Sequence, residues 1–215
     1  MSAAGDPYVA FTRRFFGRWS PLYDAFAKPI GFAYDAAVRR TGARPGRSVL
    51  DLCTGTGEIA LRLARRGAAV TAVDMTFSML GRAVRKARRL PVRFVAMDAR
   101  RLAFPDRSFD AVTLSFALHD MPGRVRAEVL REAARVARDA VVVLDYDVPR
   151  REPWRRLVLG GLGLFETPYL QGFARGGALA AIRAAGLTVR ETVRPAPGLF
   201  VVHVVDSHLA GGRRA

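Results

Sequence analysis

The sequence predicts an α/β fold built on a doubly wound, mostly parallel sheet. Three observations carry that expectation. Apolar, strand-length runs alternate with amphipathic helical runs from Ser48 onward, a glycine-rich turn follows the first of them, and 215 residues suffice for one sizeable core. Residues 6–40 come first, as aromatic-rich helices broken at Pro21 and Pro29 and carrying Phe11, Phe15, Phe16, Trp19, Tyr23, Phe26 and Tyr34. They form an N-terminal helical cap over residues 1–44, and residues 45–215 form the core of the same single domain.

The Ala43-Arg44-Pro45-Gly46 turn leads into a buried strand over 48–53 and a helix over 58–66 that stops at Gly67. A second strand covers 69–74, a second helix 76–89 and a third strand 92–97. The Phe104-Pro105-Asp106 turn introduces a fourth strand over 110–116. Val125, Val129, Ala133 and Val136 recur at helical spacing within a helix over 123–138, and a fifth strand covers 140–146. A helix over 177–185 ends at Gly186. Strands over 187–194 and 199–206, joined by Pro195-Ala196-Pro197-Gly198, read as an antiparallel hairpin that supplies the edge of a seven-stranded sheet. The whole is a Rossmann-like arrangement.

Composition narrows the class. Half the residues are hydrophobic and a quarter charged, which describes a globular chain rather than a disordered one. The single cysteine, Cys53, excludes an internal disulfide framework and a multi-cysteine metal site, and no metal is expected. No apolar run reaches the roughly 18 residues of a membrane span. Thr12-Arg13-Arg14-Phe15-Phe16 has the look of an export signal, but Arg18, Asp24 and Lys28 interrupt the apolar stretch such a signal needs behind it, so a cytoplasmic protein is expected. The net charge of +16 rests on 33 arginines among the 35 basic residues, with no asparagine and three isoleucines. That pattern fits a GC-rich coding bias, and selection for a polyanionic partner is the alternative.

In a doubly wound sheet, ligands bind beyond the C-terminal ends of the strands. The first strand ends there in Asp51-Leu52-Cys53-Thr54-Gly55-Thr56-Gly57-Glu58. Gly55, Gly57 and Ala60 satisfy a dinucleotide-type fingerprint, but Asp51 and Glu58 flank the turn and would repel a pyrophosphate. They would attract an ammonium and a sulfonium, the charges of S-adenosylmethionine. The alternative readings are a turn-capping Asp51 and a first-turn Glu58 favoured by the helix dipole. Asp74 closes the second strand 17 residues after Gly57, placed to accept bonds from two ribose hydroxyls. Asp98 follows the third strand, where it would accept from an adenine amino group or cap a turn; Met75 and Phe77 would line the adenine slot or sit in the core.

Val49-Leu50-Asp51-Leu52-Cys53-Thr54-Gly55-Thr56-Gly57 resembles the first motif of the class I S-adenosylmethionine-dependent methyltransferases, and Ala72-Val73-Asp74 the second. Phe104-Pro105-Asp106-Arg107-Ser108-Phe109-Asp110-Ala111-Val112 resembles the segment that enters their fourth strand. Cys53 stands where the leading glycine of the first motif often falls. Within that superfamily, Tyr23-Asp24, Thr54 to Gly57 and Phe104 to Asp110 look similar to the ubiquinone and menaquinone C-methyltransferases, and the likeness fades beyond Asp147. The resemblance implies S-adenosylmethionine as cofactor, S-adenosylhomocysteine as product, and a cofactor set of Asp51, Cys53, Thr54, Gly55, Gly57, Asp74, Met75, Asp98, Ala99 and Ser115.

Methyl transfer is an in-line displacement, so the protein mainly aligns two reactants and excludes water. A base is needed when the acceptor holds its proton at neutral pH. His119 is the candidate, with Asp120 orienting it or, alternatively, capping the next helix with Pro122 in its first turn. Tyr23, Tyr34 and Tyr146 are the expected acceptor contacts, with Phe16, Trp19, Glu166 and Tyr169 as further wall residues. They suit a small, flat or lipophilic acceptor of quinone type. A phospholipid N-methyltransferase at a membrane surface is one alternative, since residues 1–47 carry eight basic and three acidic side chains. A nucleic-acid methyltransferase is less favoured: Ser115-Phe116-Ala117-Leu118 lacks the motif of the amino-methylating enzymes, and the stripe Arg82, Arg85, Lys86 and Arg89 reads as a solvated helix face. A non-enzymatic binding module is the remaining class.

Overall fold

The computed structural model describes residues 6–149, 151–162 and 167–209. Its centre is a seven-stranded sheet: β1 (Ser48–Leu52), β2 (Ala69–Asp74), β3 (Val92–Ala96), β4 (Phe109–Ser115), β5 (Ala137–Tyr146), β6 (Leu187–Ala196) and β7 (Phe200–Leu209). The spatial order is β3-β2-β1-β4-β5-β7-β6, so strand order reverses between β1 and β4. Strands β1 to β5 pair in parallel, and β7 runs antiparallel to both β5 and β6. The hairpin therefore enters the sheet by its second strand, and its first, β6, becomes the edge.

Period-two alternation divides the core into two layers. Leu50 and Leu52 of β1 face one side with Val112, Leu114, Val141 and Val143. Helices α5 (Gly123–Val136) and α8 (Gly177–Ala184) cover this side through Val125, Val129, Leu130 and Ile182. Val49 faces the other side with Val70, Ala72, Val142 and Leu144, under α2 (Gly31–Arg40) and α3 (Glu58–Arg65). Helix α4 (Phe77–Ala87) packs along β2 and β3. Asp110 pins the start of β4 to that of β1 by accepting from the Ser48 amide at 2.8 Å and the Ser48 hydroxyl at 3.0 Å.

Four departures from the sequence expectation have local causes. Helix α1 (Pro7–Ala27) runs through Pro21 unbroken: a proline inside a helix removes one amide donor but does not require the chain to stop. The chain does break at Pro29, between α1 and α2. Strand β5 starts at Ala137, because Arg138 pairs with Asp110, and Asp139 with Arg47 at 2.8 Å, holding that segment extended beside its neighbours. Helices α6 (Trp154–Leu162) and α7 (Leu170–Phe173) have no counterpart in the sequence expectation; Gly160 and Gly161 within α6 hide its helical pattern. No helix among the described residues is long and apolar enough to cross a membrane.

Asp51 lies next to the C-terminal end of β1 with no exposed surface. Its carboxylate accepts from the Thr54 hydroxyl at 2.6 Å and the Thr113 hydroxyl at 2.7 Å. Burial pushes its pKa up to about 6, against the pull of those two bonds, and the Asp74 charge adds to the rise. A carboxyl whose pKa is raised on folding favours the folded state while protonated, and that contribution fades as pH rises from about 4 through 6. The stability of Asp51→Asn relative to the native chain is therefore expected to increase over that interval, by up to about 3 kcal/mol. Urea unfolding of both proteins at pH 4, 5, 6 and 7 measures it; parallel curves would refute the assignment.

Candidate active site

The backbone turns sharply after β1. Cys53 has a φ of 53°, Gly55 of 54° and Gly57 of 87°, all left-handed. A Cβ on Gly55 would meet nothing within 4 Å, whereas one on Gly57 would press on the Ala83 Cβ at 3.1 Å. The two glycines thus do different work: Gly55 faces open space, and Gly57 allows α3 to pack against α4. Asp74, at the end of β2, accepts from the Gly55 amide at 2.8 Å and from the Thr76 amide at 2.8 Å. Its pKa is raised by burial in spite of those bonds.

A narrow cavity, partly open to solvent, lies over this turn. Cys53, Gly55, Asp74, Met75, Asp98 and Ala99 line it, where the sequence places them. Its roof is one face of α1, where Tyr8, Thr12 and Phe16 recur at four-residue intervals and Tyr23 follows seven residues on. Phe116, Met121, Val125 and Val129 make an apolar far wall. Desolvation first, and then the nearby carboxylates led by Asp74, raise the pKa of the half-buried Cys53 thiol and hold it protonated.

Three polar straps, two of them ionic, hold α1 over the cavity. Arg100 forks onto Asp98, with Nη2 at 2.6 Å, and reaches Asp6 before α1 at 2.6 Å while stacking on the Tyr8 ring. Arg13 donates to the Met75 carbonyl at 3.1 Å. Lys86 of α4 binds Asp24 at 2.7 Å near the end of α1. Both Asp98 oxygens are thus held by Arg100, so a ligand amine must compete with a guanidinium there.

Other expected site residues stand elsewhere, because tertiary packing turned their side chains away. Asp51 and Thr54 bond each other inside the sheet, matching the turn-capping alternative. Gly57 packs against α4, and Ser115 pairs in the β4 ladder beside Leu144. None of these four lines the cavity. Glu58 pairs with Lys86 at 2.6 Å and with Arg62 at 3.3 Å, outside the cavity. Phe77 is exposed and stacks under Arg13. Of the three tyrosines, only Tyr23 reaches the cavity. Tyr34 is buried between Phe116 and the Arg62 guanidinium, and burial raises its hydroxyl pKa. Tyr146 stacks behind Phe116, with ring centroids 5.4 Å apart. Tyr169 packs on Tyr8 and Phe11 at the outer rim. Glu166 and the Trp19 side chain lie outside the described residues.

His119 requires the largest correction. It is fully buried in a single helical turn, Leu118–Asp120, and does not line the cavity. Its Nδ1 lies 2.7 Å from Asp145 and its Nε2 3.1 Å from Asp120. Burial alone would drive its pKa down, but the two carboxylates outweigh it and hold the ring as an imidazolium. With a carboxylate at each nitrogen and its ring outside the cavity lining, His119 is not placed to take a proton from a ligand there. Asp120 does line the cavity and does not cap α5, which begins after Pro122 without a side-chain cap; its Oδ1 accepts from the Thr167 amide at 3.4 Å. The reachable carboxylate is therefore one residue beyond the predicted base.

Two residues of this cluster escape the sequence reading. Asp145 is buried, accepts from the Leu118 amide at 3.0 Å and the Tyr146 amide at 2.8 Å, and stands out in the sequence as an acid ending a Val-Val-Val-Leu run. Arg126 of α5 donates to the Leu118 carbonyl at 2.7 Å and the Tyr169 carbonyl at 3.1 Å, tying the 118–120 turn to the segment before α7. No sequence signal distinguishes it among 33 arginines.

Comparison with known proteins agrees with this architecture. Residues 49–140 match the family model described as a methyltransferase domain. The chain is 39% identical over 153 residues to the demethylmenaquinone methyltransferase of Beutenbergia cavernae, covering 68% of this chain and 62% of that protein. It is 36% identical over 167 residues to the demethylmenaquinone methyltransferase of Thermus thermophilus, covering 73% and 71%. Among solved structures, the magnesium protoporphyrin IX methyltransferase of Synechocystis, with S-adenosylhomocysteine bound, superposes with a TM-score of 0.68 at 19% identity, covering 92% of this chain and 98% of that one. The switch-point sheet, the glycine turn beside Asp74 and the 71% coverage of the Thermus protein converge: the chain belongs to the class I S-adenosylmethionine-dependent methyltransferase family.

Proposed function

We propose that the chain methylates a ring carbon of a quinol-type acceptor, using S-adenosylmethionine. The observation that carries this reading is a single cavity with Asp74 at the β2 end, Asp120 in the opposite wall and apolar side chains between them. The relatives named as demethylmenaquinone methyltransferases favour the same acceptor class. The cofactor fits the residues present. Asp74 stands where a ribose would lie, the open face of Gly55 leaves room for a ligand against the backbone, and Met75, Met97 and Ala99 offer a flat apolar slot. When bound, the cofactor supplies a methyl group already activated on a sulfonium.

The chain's own residues then have three tasks. Tyr8, Phe16 and Tyr23 of α1 close over the reactants and exclude water, while Phe116 and Met121 support the acceptor ring from the far side. Asp120 would accept a hydrogen bond from the ring hydroxyl and take its proton, so that the electron pair of that oxygen reaches the ring carbon as the new C–C bond forms. The methyl–sulfur bond breaks as it does so, its pair staying on sulfur in the S-adenosylhomocysteine that leaves. Loss of the ring C–H proton and return of a proton from Asp120 to the oxygen then restore the quinol. His119 is a positioning residue: clamped by Asp145, it fixes the direction of the Asp120 carboxylate. Nucleic acid is disfavoured as acceptor, because Arg82 and Lys86 of the basic stripe already pair with Asp24.

Calorimetric titration is expected to show S-adenosylmethionine and S-adenosylhomocysteine binding and no binding of NADH. Asp74→Ala should weaken both by roughly 10- to 100-fold, the worth of charge-assisted bonds to two hydroxyls. Unchanged affinity would remove Asp74 from the cofactor site. With a short-chain menaquinol analogue, Asp120→Asn should lower kcat by about 100-fold or more at unchanged cofactor affinity.

His119→Gln is expected to lower kcat less than Asp120→Asn does. The native kcat profile should carry no histidine-type step between pH 6 and 7.5, because His119 stays charged throughout that interval. Imidazole ¹⁵N shifts across the same range check it directly; a neutral ring at pH 7 would overturn the positioning role and restore His119 as a base.

A further inference from the structure

We infer that the protein docks on anionic bilayers through the exposed face of α6 and the tip of the β6–β7 hairpin. On α6, Trp154 is 53% and Leu157 65% exposed, three residues apart on one face. Leu199, 44% exposed, sits at the hairpin tip, and a Cβ on the adjacent Gly198 would lie 3.6 Å from the Trp154 indole nitrogen. Two distant segments thus present one apolar surface. Phe32, 47% exposed, extends it by packing on Phe200 at 6.0 Å. Large apolar side chains held in solvent at this density mark a contact surface.

The charges around the patch specify the occupant. Arg151, Arg155, Arg156, Arg175 and Arg194 lie on or just before α6 or line the depression beside it, against two carboxylates, Glu152 and Asp147. Arg156 pairs with Glu152 and Arg194 with Asp147, each at 3.1 Å, which leaves an excess of three guanidinium groups, Arg151, Arg155 and Arg175. An indole and leucines exposed beside this excess of guanidinium groups match the acyl boundary and phosphate level of an anionic leaflet. A second copy of the chain would bring these arginines against their equivalents. Apart from Phe32, this surface lies outside residues 1–47, the basic segment on which the sequence alone placed a membrane contact.

The patch backs directly onto the cavity. Phe200, beneath Phe32, packs edge-on against Phe116 at 5.5 Å, and Phe116 lines the cavity. Docking would therefore bring the cavity wall to the bilayer surface, where an acceptor with a long apolar tail resides. That last link rests on the quinol reading; the docking does not.

The test is co-sedimentation of the full chain with vesicles of phosphatidylcholine alone and with roughly 30 mol % phosphatidylglycerol. The native chain should pellet with the anionic vesicles and much less with the neutral ones. The double variant Trp154→Ser/Leu157→Ser should lose roughly tenfold in partitioning and Leu199→Ser a smaller factor. Val84→Ser, which removes an exposed side chain on α4, should change nothing. Thermal unfolding midpoints confirm that each variant is folded. Failure of the native chain to bind anionic vesicles, or equal binding by the double variant, overturns the inference. So would a dimer in sedimentation equilibrium that Leu157→Ser abolishes without any vesicle binding. The double variant should turn over a tail-less, water-soluble quinol at the native rate; if the native chain ignores that acceptor while still binding vesicles, the quinol reading fails and the docking surface stands.

Discussion

A buried carboxylate holds the centre of this molecule together. Asp51 sits between two strands of the sheet, where its hydroxyl partners come from the turn ahead, Thr54, and from the neighbouring strand, Thr113. An unpaired carboxylate at that depth would cost several kcal/mol, so both threonines must keep their places. Fixing Thr54 fixes the start of the left-handed turn, and fixing Thr113 fixes β4 beside β1 at the point where strand order reverses. The crevice over the sheet exists because those two strands are held in register while their connections leave on opposite faces.

From that point the architecture spreads outward with decreasing rigidity. The apolar layers on either side of β1, β4 and β5 are almost wholly buried. The far wall of the cavity is an aromatic stack, Phe116 with Tyr146, Phe200 and Tyr34, in which each ring braces its neighbour edge-on or tilted. Behind it, Asp145, His119 and Asp120 form a line of alternating charge from the buried end of β5 to the cavity surface. Burying three ionised groups is tolerable only when they pair among themselves and with backbone amides, as Asp145 does twice.

Much of this is legible in the sequence because it depends on local chain chemistry. Alternation of strands and helices sets the sheet, and glycines at 55 and 57 mark a turn whose dihedrals only glycine adopts at low cost. Asp74 is legible for the same reason: a residue at a strand end lies where the next turn begins. The misreadings involve the direction of a side chain after tertiary packing. His119 and Asp120 are adjacent, yet one points into the core and the other to the cavity, and no spacing rule separates them. Tyr34 and Tyr146 read as acceptor contacts because aromatic rings on cap and strand look alike whether they line a cavity or support the ring that does. Asp145 is recoverable, since an acid within an apolar strand needs a partner. The four-residue interval of Tyr8, Thr12 and Phe16 is recoverable too, once Pro21 is allowed inside one long helix instead of between two short ones.

The straps across α1 differ in kind from the interactions beneath them. Asp6 with Arg100 and Asp24 with Lys86 are partly exposed pairs, weakened by salt. The core under them rests on apolar burial, which moderate salt leaves intact. Access to the crevice and persistence of the fold are thus governed by separate forces. Ionic strength acts on the first and scarcely on the second, so ligand exchange can be quickened by added salt at concentrations where the unfolding midpoint does not move.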